Sequence, residues 1–205
     1  MKKKFITLLT SLIIFNANPS FADSIIGVVD KIVETANMTY KNRVFNLDVD
    51  SEFLNNSKLI TSEKARLHAT LIDGTSLKMG ADSELKITEF LLDGKNDKAE
   101  IEVVKGAFRF ISGSVNKNGG SFVVKSPLAT LGVRGTDFWG NYTQDGFSLC
   151  LLDDGELIVT DPKGNSVVLD TPKTFVTITK KGISDVAQIS EDELKAAWST
   201  VAITE

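Results

Sequence analysis

Histidine and cysteine are each represented once in 205 residues, as His68 and Cys150, and there are only four prolines and two tryptophans. One imidazole cannot supply both the base and the metal shell of common hydrolytic sites. One thiol cannot close an intramolecular disulfide. His68 alternates with the apolar residues Leu67 and Ala69, so the pattern places it as an exposed histidine on the polar face of a strand. Cys150 lies in the apolar run Phe147–Leu152 and reads as a buried free thiol. No Gly-x-Ser-x-Gly elbow occurs. Ser114 and Lys117 have the Ser-x-x-Lys spacing of acyl-transferring enzymes, but Gly113, Gly119 and Gly120 surround them with a loop instead of a helix start. Asp153, Asp154 and Glu156 lack the long ligand-spaced loop that calcium requires and read as a hairpin turn. The sequence therefore predicts no catalytic residue, no metal and no cofactor.

Long hydrophobic runs are also scarce. The longest, Phe5–Phe15, is about half the roughly 20 residues of a spanning helix. Lys2–Lys4 precede it and Pro19–Ala22 follow with small residues, the arrangement of a secretory signal peptide over residues 1–22, cut between Ala22 and Asp23. This predicts a periplasmic or secreted protein with no stable membrane insertion after cleavage. Cleavage would lower the basic residues from 23 to 20 against 27 acidic ones, a formal charge of −7. A scattered, net acidic charge repels phosphate and argues against nucleic acid as a partner.

What is abundant is period-two alternation, punctuated by Asp-Gly at 73–74, 93–94, 145–146 and 154–155. Ala65, Leu67, Ala69 and Leu71 alternate with polar residues up to Asp73-Gly74, and Leu77 and Met79 resume the pattern, as in a hairpin. Strands are predicted over about 25–32, 43–47, 58–61, 64–72, 75–79, 84–91, 98–104, 107–112, 121–125, 129–133, 137–143, 147–152, 155–160, 166–169 and 173–179. The fold class is all-β: many short, mainly antiparallel strands in a sandwich, roll or short solenoid-like domain over residues 23–180. A tail over 181–205 carries an amphipathic helix at about 191–202, opened by a Ser190/Glu193 capping box, with Leu194, Ala197, Trp198 and Val201 on one face. That face is expected to pack on the β domain.

The densest stretch is Ser126–Phe138, SPLATLGVRGTDF. Gly132 and Gly135 flank Val133-Arg134, and Thr136, Asp137 and Phe138 follow. Two readings of Arg134 stand: an internal clamp that pairs with Asp137 or donates to loop carbonyls at a strand corner, which is favoured, or an outward contact for a partner. The stretch resembles the signature of the FecR domain family, close to Thr-Pro-x-Ala-Thr-x-Gly-Val-Arg-Gly-Thr-x-Phe, with Ser126 in place of threonine. Leu59–Thr61, Ala65–Leu67, Leu71–Thr75, Gly106–Gly113 and Gly155–Val159 resemble the family's other strands in order, so the likeness spans roughly residues 25–180.

The resemblance implies a non-enzymatic module. Iron-uptake regulators of the family carry a sigma-factor-binding helical segment and a transmembrane helix that have no counterpart here, so a stand-alone exported member is implied. The reading is a binding, scaffold or envelope-sensing module for a protein or cell-envelope glycan, with Arg134, Gly132, Gly135, Thr136, Asp137 and Phe138 as signature residues and candidate partner contacts. The alternatives are a carbohydrate-acting envelope hydrolase using paired carboxylates, and a periplasmic partner in iron-uptake-type signalling.

Overall fold

A computed structural model describes residues 24–117 and 119–203; the predicted signal peptide and its cleavage point lie outside them. In chain order the strands are β1 (Ile25–Val33), β2 (Ala36–Tyr40), β3 (Arg43–Leu47), β4 (Glu52–Leu54), β5 (Lys58–Thr61), β6 (Arg66–Leu71), β7 (Ser76–Met79), β8 (Glu84–Leu91) and β9 (Lys98–Ile111). They continue as β10 (Ser121–Lys125), β11 (Thr130–Arg134), β12 (Asp137–Tyr142), β13 (Phe147–Leu151), β14 (Glu156–Thr160), β15 (Ser166–Leu169), β16 (Thr174–Thr179), β17 (Gly182–Ile183) and β18 (Ala187–Gln188), followed by helix α1 (Glu191–Val201).

The strands form two layers. One runs β4-β1-β6-β7-β9-β12-β13-β16, with β17 and β18 on its far edge, and every neighbouring pair is antiparallel. The other runs β3-β2-β5-β8-β9-β10-β11-β14-β15, with a single parallel pair, β9 with β10. The chain alternates between layers as it advances, so both layers are laid down from one end to the other in nearly sequence order. The result is a large mixed sheet, folded on itself and not closed.

Strand β9 belongs to both layers. Its first part buries Ala99, Ile101 and Val103, whereas its last part points Phe108 and Phe110 at the core. The inward phase therefore slips by one residue, and the slip falls at Gly106, whose φ is +91°. A Cβ there would also lie 2.2 Å from Ser83 Oγ. Only glycine fits on both counts. The sequence predicted two strands, 98–104 and 107–112; the break is a bend within one continuous strand. Strands β2, β4, β17 and β18 were not predicted. The last two carry the sheet past residue 180, where the tail was expected to begin.

Between the layers lies one apolar core. Phe110 of the first layer and Phe122 of the second meet edge to face with ring centres 5.4 Å apart, and Phe108 and Phe138 are 6.0 Å apart in the same manner. Burial of these rings is the main driving force for closing the two layers.

Helix α1 covers the outer face of the first layer. Its capping box forms as the sequence predicts: Glu193 N donates to Ser190 Oγ and Ser190 N to Glu193 Oε2. Ala197 and Val201 are buried beneath it. Because this face is covered too, Ala107–Phe110 is buried without interruption. No equivalent element covers the outer face of the second layer among the described residues. The two are called the covered and the open layer below. No helix of the described residues is long and apolar enough to cross a membrane.

Candidate functional site

Four loops lie side by side at one end of the roll. The Asp73-Gly74-Thr75 turn is pinned by its own carboxylate: Thr75 N donates to Asp73 Oδ1 at 2.9 Å, and Thr75 Oγ1 and Val115 N donate to Oδ2 at 2.8 and 3.0 Å. Gly113 N donates to Thr75 Oγ1 and Ser114 N to the Asp73 carbonyl, which fastens the loop after β9 onto this turn. Ser112 and Thr136 then exchange bonds, Ser112 N to Thr136 O at 2.9 Å and Thr136 N to Ser112 Oγ at 3.2 Å. The fourth loop, Asp153–Gly155, abuts Arg134 and Gly135 so closely that a Cβ on Gly155 would lie 2.5 Å from Gly135 O. The backbone polar groups of this corner are satisfied internally, as a buried corner requires.

The loops enclose an open cleft of about 590 Å³. Ser112, Asn116 and Lys117 form one wall, Gly135–Asp137 the floor, and Asp153 and Asp154 the other wall, with Arg134 at the rim. The Ser114–Lys117 segment is a turn, with Lys117 N donating to Ser114 O. The lining of this cleft holds both cations, Lys117 and Arg134, and carboxylates, Asp137, Asp153 and Asp154.

Each signature residue has a definite place. Phe138 is fully buried in the core. Thr136 is 2 % exposed, held through its backbone, and its Oγ1 has no hydrogen-bond partner among the described residues. Gly135 adopts φ +59° with open space where a Cβ would stand. Gly132 sits mid-strand on the outer face of β11. Arg134 corrects the favoured expectation. Its side chain is 76 % exposed and, among the described residues, pairs with Glu156 Oε1 at 3.4 Å and not with Asp137.

Asp137 pairs instead with Arg109 on the neighbouring strand β9, where Nε is 2.8 Å from Oδ1 and Nη2 2.5 Å from Oδ2. Arg109 is 8 % exposed, and its guanidinium stacks under the Trp198 ring of α1, 4.2 Å from the centroid. With both carboxylate oxygens taken by the fork, Asp137 is a structural partner. Sequence reasoning placed Phe108-Arg109-Phe110 on a strand and missed this role. The signal was there: an arginine between phenylalanines in a strand must either reach water or find an acid.

Arg109 belongs to a cross-strand row on the covered layer: His68, Lys78, Arg109, Trp139, Cys150 and Phe175 stand in register on consecutive strands. Helix α1 crosses this row. His68 Nε2 is 2.8 Å from Val201 O, and Trp139 Nε1 donates to Thr200 Oγ1 at 2.9 Å. His68 is thus half-buried under the helix end, not the exposed strand histidine expected. Burial lowers its pKa below 6.5, the Val201 contact opposing in part. Burial, then Arg109, lowers that of Lys78. Burial pushes the Cys150 thiol up to about 12. Among the described residues no three His, Cys, Asp or Glu side chains gather as metal ligands.

Residues 57–155 match the family described as FecR protein. That span runs from just before β5 to the Asp154-Gly155 turn, and so includes all four loops of the cleft. Two crystal structures of a candidate anti-sigma factor from Parabacteroides distasonis ATCC 8503 are similar in fold. One superposes with a TM-score of 0.56 at 18% identity over 69% of this chain and 63% of that one. The other gives 0.55 at 21% identity over 68% and 63%. The chain therefore spans less than two thirds of the length of the solved proteins it matches. No curated protein matches it. Over residues 57–155, just under half of its 205 residues, the chain carries the sequence pattern of the FecR family.

Proposed function

We propose that this chain is an exported, non-catalytic binding module of the bacterial envelope, whose FecR domain holds a protein partner in a signalling or regulatory assembly. The observation that carries this is Arg134: a guanidinium 76 % exposed, raised on a corner whose backbone is fastened on every side. An arginine so placed adds little to stability. Its rigid fork suits carboxylates on a partner, and preorganisation of its base reduces the entropy lost on binding. The fold likeness to candidate anti-sigma factors supports a regulatory setting. The roll would occupy residues 23–180 with β17, β18 and α1 as its closing segment, and the N-terminal 22 residues would direct export.

The test is Arg134→Ala in the full chain. The expected result is an unchanged melting temperature together with loss of retention of envelope proteins by the immobilised chain. Equal retention by both chains overturns the role of Arg134. Release of soluble fragments from isolated peptidoglycan by the full chain would overturn the non-catalytic reading in favour of a glycan-acting hydrolase.

A further inference from the structure

The outer face of the open layer carries a feature that the fold does not explain. Val123 of β10, Gly132 of β11, Ile158 of β14 and Val168 of β15 stand in one cross-strand row. Ile158 is 37 % and Val168 45 % exposed. In the middle of this apolar row Gly132 leaves a gap. Its backbone is not in the left-handed region, and a Cβ built on it would meet nothing nearer than Ile158 Cβ at 3.8 Å, an ordinary contact. Neither crowding nor backbone angle requires glycine here, and glycine inside a strand is less stable than alanine. Glycine inside a strand often marks a bulge, a tight bend or a place where another molecule or backbone comes close, and the register through Gly132 is regular on both sides, with no bulge.

Neighbouring strands lie about 4.8 Å apart, so Val123 and Ile158 flank the gap at roughly 10 Å. That is a notch one side chain wide with aliphatic walls. Arg134 projects from the same face of β11 two residues on, about 6.7 Å along the strand. Among the described residues the only anion it meets is Glu156, at 3.4 Å.

We propose that this face docks an extended segment of a protein partner, with an apolar side chain seated in the notch over Gly132 and an acidic side chain two residues away on Arg134. The two-residue step of an extended chain matches the Gly132–Arg134 spacing, and the carboxylate complements the guanidinium. Aliphatic walls without an aromatic ring in the row disfavour a sugar, whose faces stack on aromatics. The covered layer offers no such surface, because α1 occupies it. The inference rests on the binding-module reading and names its partner chemistry.

An array of synthetic extended heptapeptides tests it, with leucine or alanine at the centre and aspartate, asparagine or lysine two positions on, probed with the full chain. Leucine–aspartate peptides should bind at least ten-fold more tightly than alanine–lysine ones. Gly132→Val should abolish that preference without lowering the melting temperature, and Ile158→Lys, from the opposite wall, should do the same. Arg134→Gln should keep the leucine preference and lose discrimination between aspartate and asparagine. No preference by the wild-type chain, or equal binding by Gly132→Val, overturns the notch. If the notch fails while Arg134→Ala still releases envelope proteins, the binding module stands without it; if both fail, both fall. A wild-type chain that ignores every peptide but binds peptidoglycan oligosaccharides overturns the proposal in favour of a glycan.

Discussion

Arg109 and Asp137 meet fork to fork between strands β9 and β12, roofed by the Trp198 ring. The pair joins three parts of the chain that are distant in sequence: the bent strand, the signature segment and the terminal helix. Its side chains are 9 % and 15 % exposed, so each charge depends on the other. Removing one partner of such a pair typically costs about 3–5 kcal/mol, far more than the pair contributes against an apolar replacement. Asp137→Ala is therefore expected to lower the melting temperature by on the order of 10 °C, whereas the double change Arg109→Met with Asp137→Leu should recover most of the loss. Thermal denaturation followed by circular dichroism measures both.

Helix α1 rests partly on His68. Burial, foremost, and the charges of Lys78 and Lys31 favour its neutral form, opposed by the Val201 carbonyl and Asp30. A folded pKa below the ordinary 6.5 means that the unfolded chain binds the proton more readily, so stability rises with pH across that interval. The contribution is complete above pH 6.5 and declines as pH falls through the lowered value. Melts at pH 8 and pH 5.5 should show a decline in the wild-type chain that is smaller in His68→Gln.

The Cys150 thiol, buried and pushed up to about 12, stays protonated at neutral pH. The thiolate is the reactive form. Native protein should resist thiol-labelling reagents for hours, and one equivalent should react promptly in denaturant. Rapid labelling of the native chain would mean that the α1 side of the roll opens readily.

Glycines at positive φ divide sharply between the signature corner and the turn that joins β14 to β15. At Gly155, φ is +127° and a Cβ would lie 2.5 Å from Gly135 O, so Gly155→Ala should cost several kcal/mol or prevent folding. At Gly164, also at positive φ (+88°) but with open space around it, alanine should cost only about 1 kcal/mol. Comparing the two melts separates steric crowding from backbone strain.

The sequence was most legible where one strand alone decides the pattern. Alternation placed β5 to β8 and β10 to β16 within a residue or two, because inward and outward faces differ in polarity along each of them. The capping box at Ser190 announced α1 for the same local reason. Strand β2, Ala36–Tyr40, escaped because Asn37 and Thr39 alternate with only two buried residues, a signal too short to stand above a loop. The Arg134–Asp137 expectation failed for a different reason. Residues three apart on either side of a corner point apart, while register brings Arg109 beside Asp137 from 28 residues away. Charge pairing across a sheet is a property of register, and register is set by the whole layer.

The order of strands along both layers follows the order of the chain, β9 serving as the hinge between them. Most strands pair with a strand already laid down a short distance upstream, and few wait for a remote one. A chain that emerges from synthesis N-terminus first can build the roll as it lengthens, each new edge being buried by the next strand until α1 seals the covered face. Exposure of sticky edges during assembly is thereby confined to the growing end.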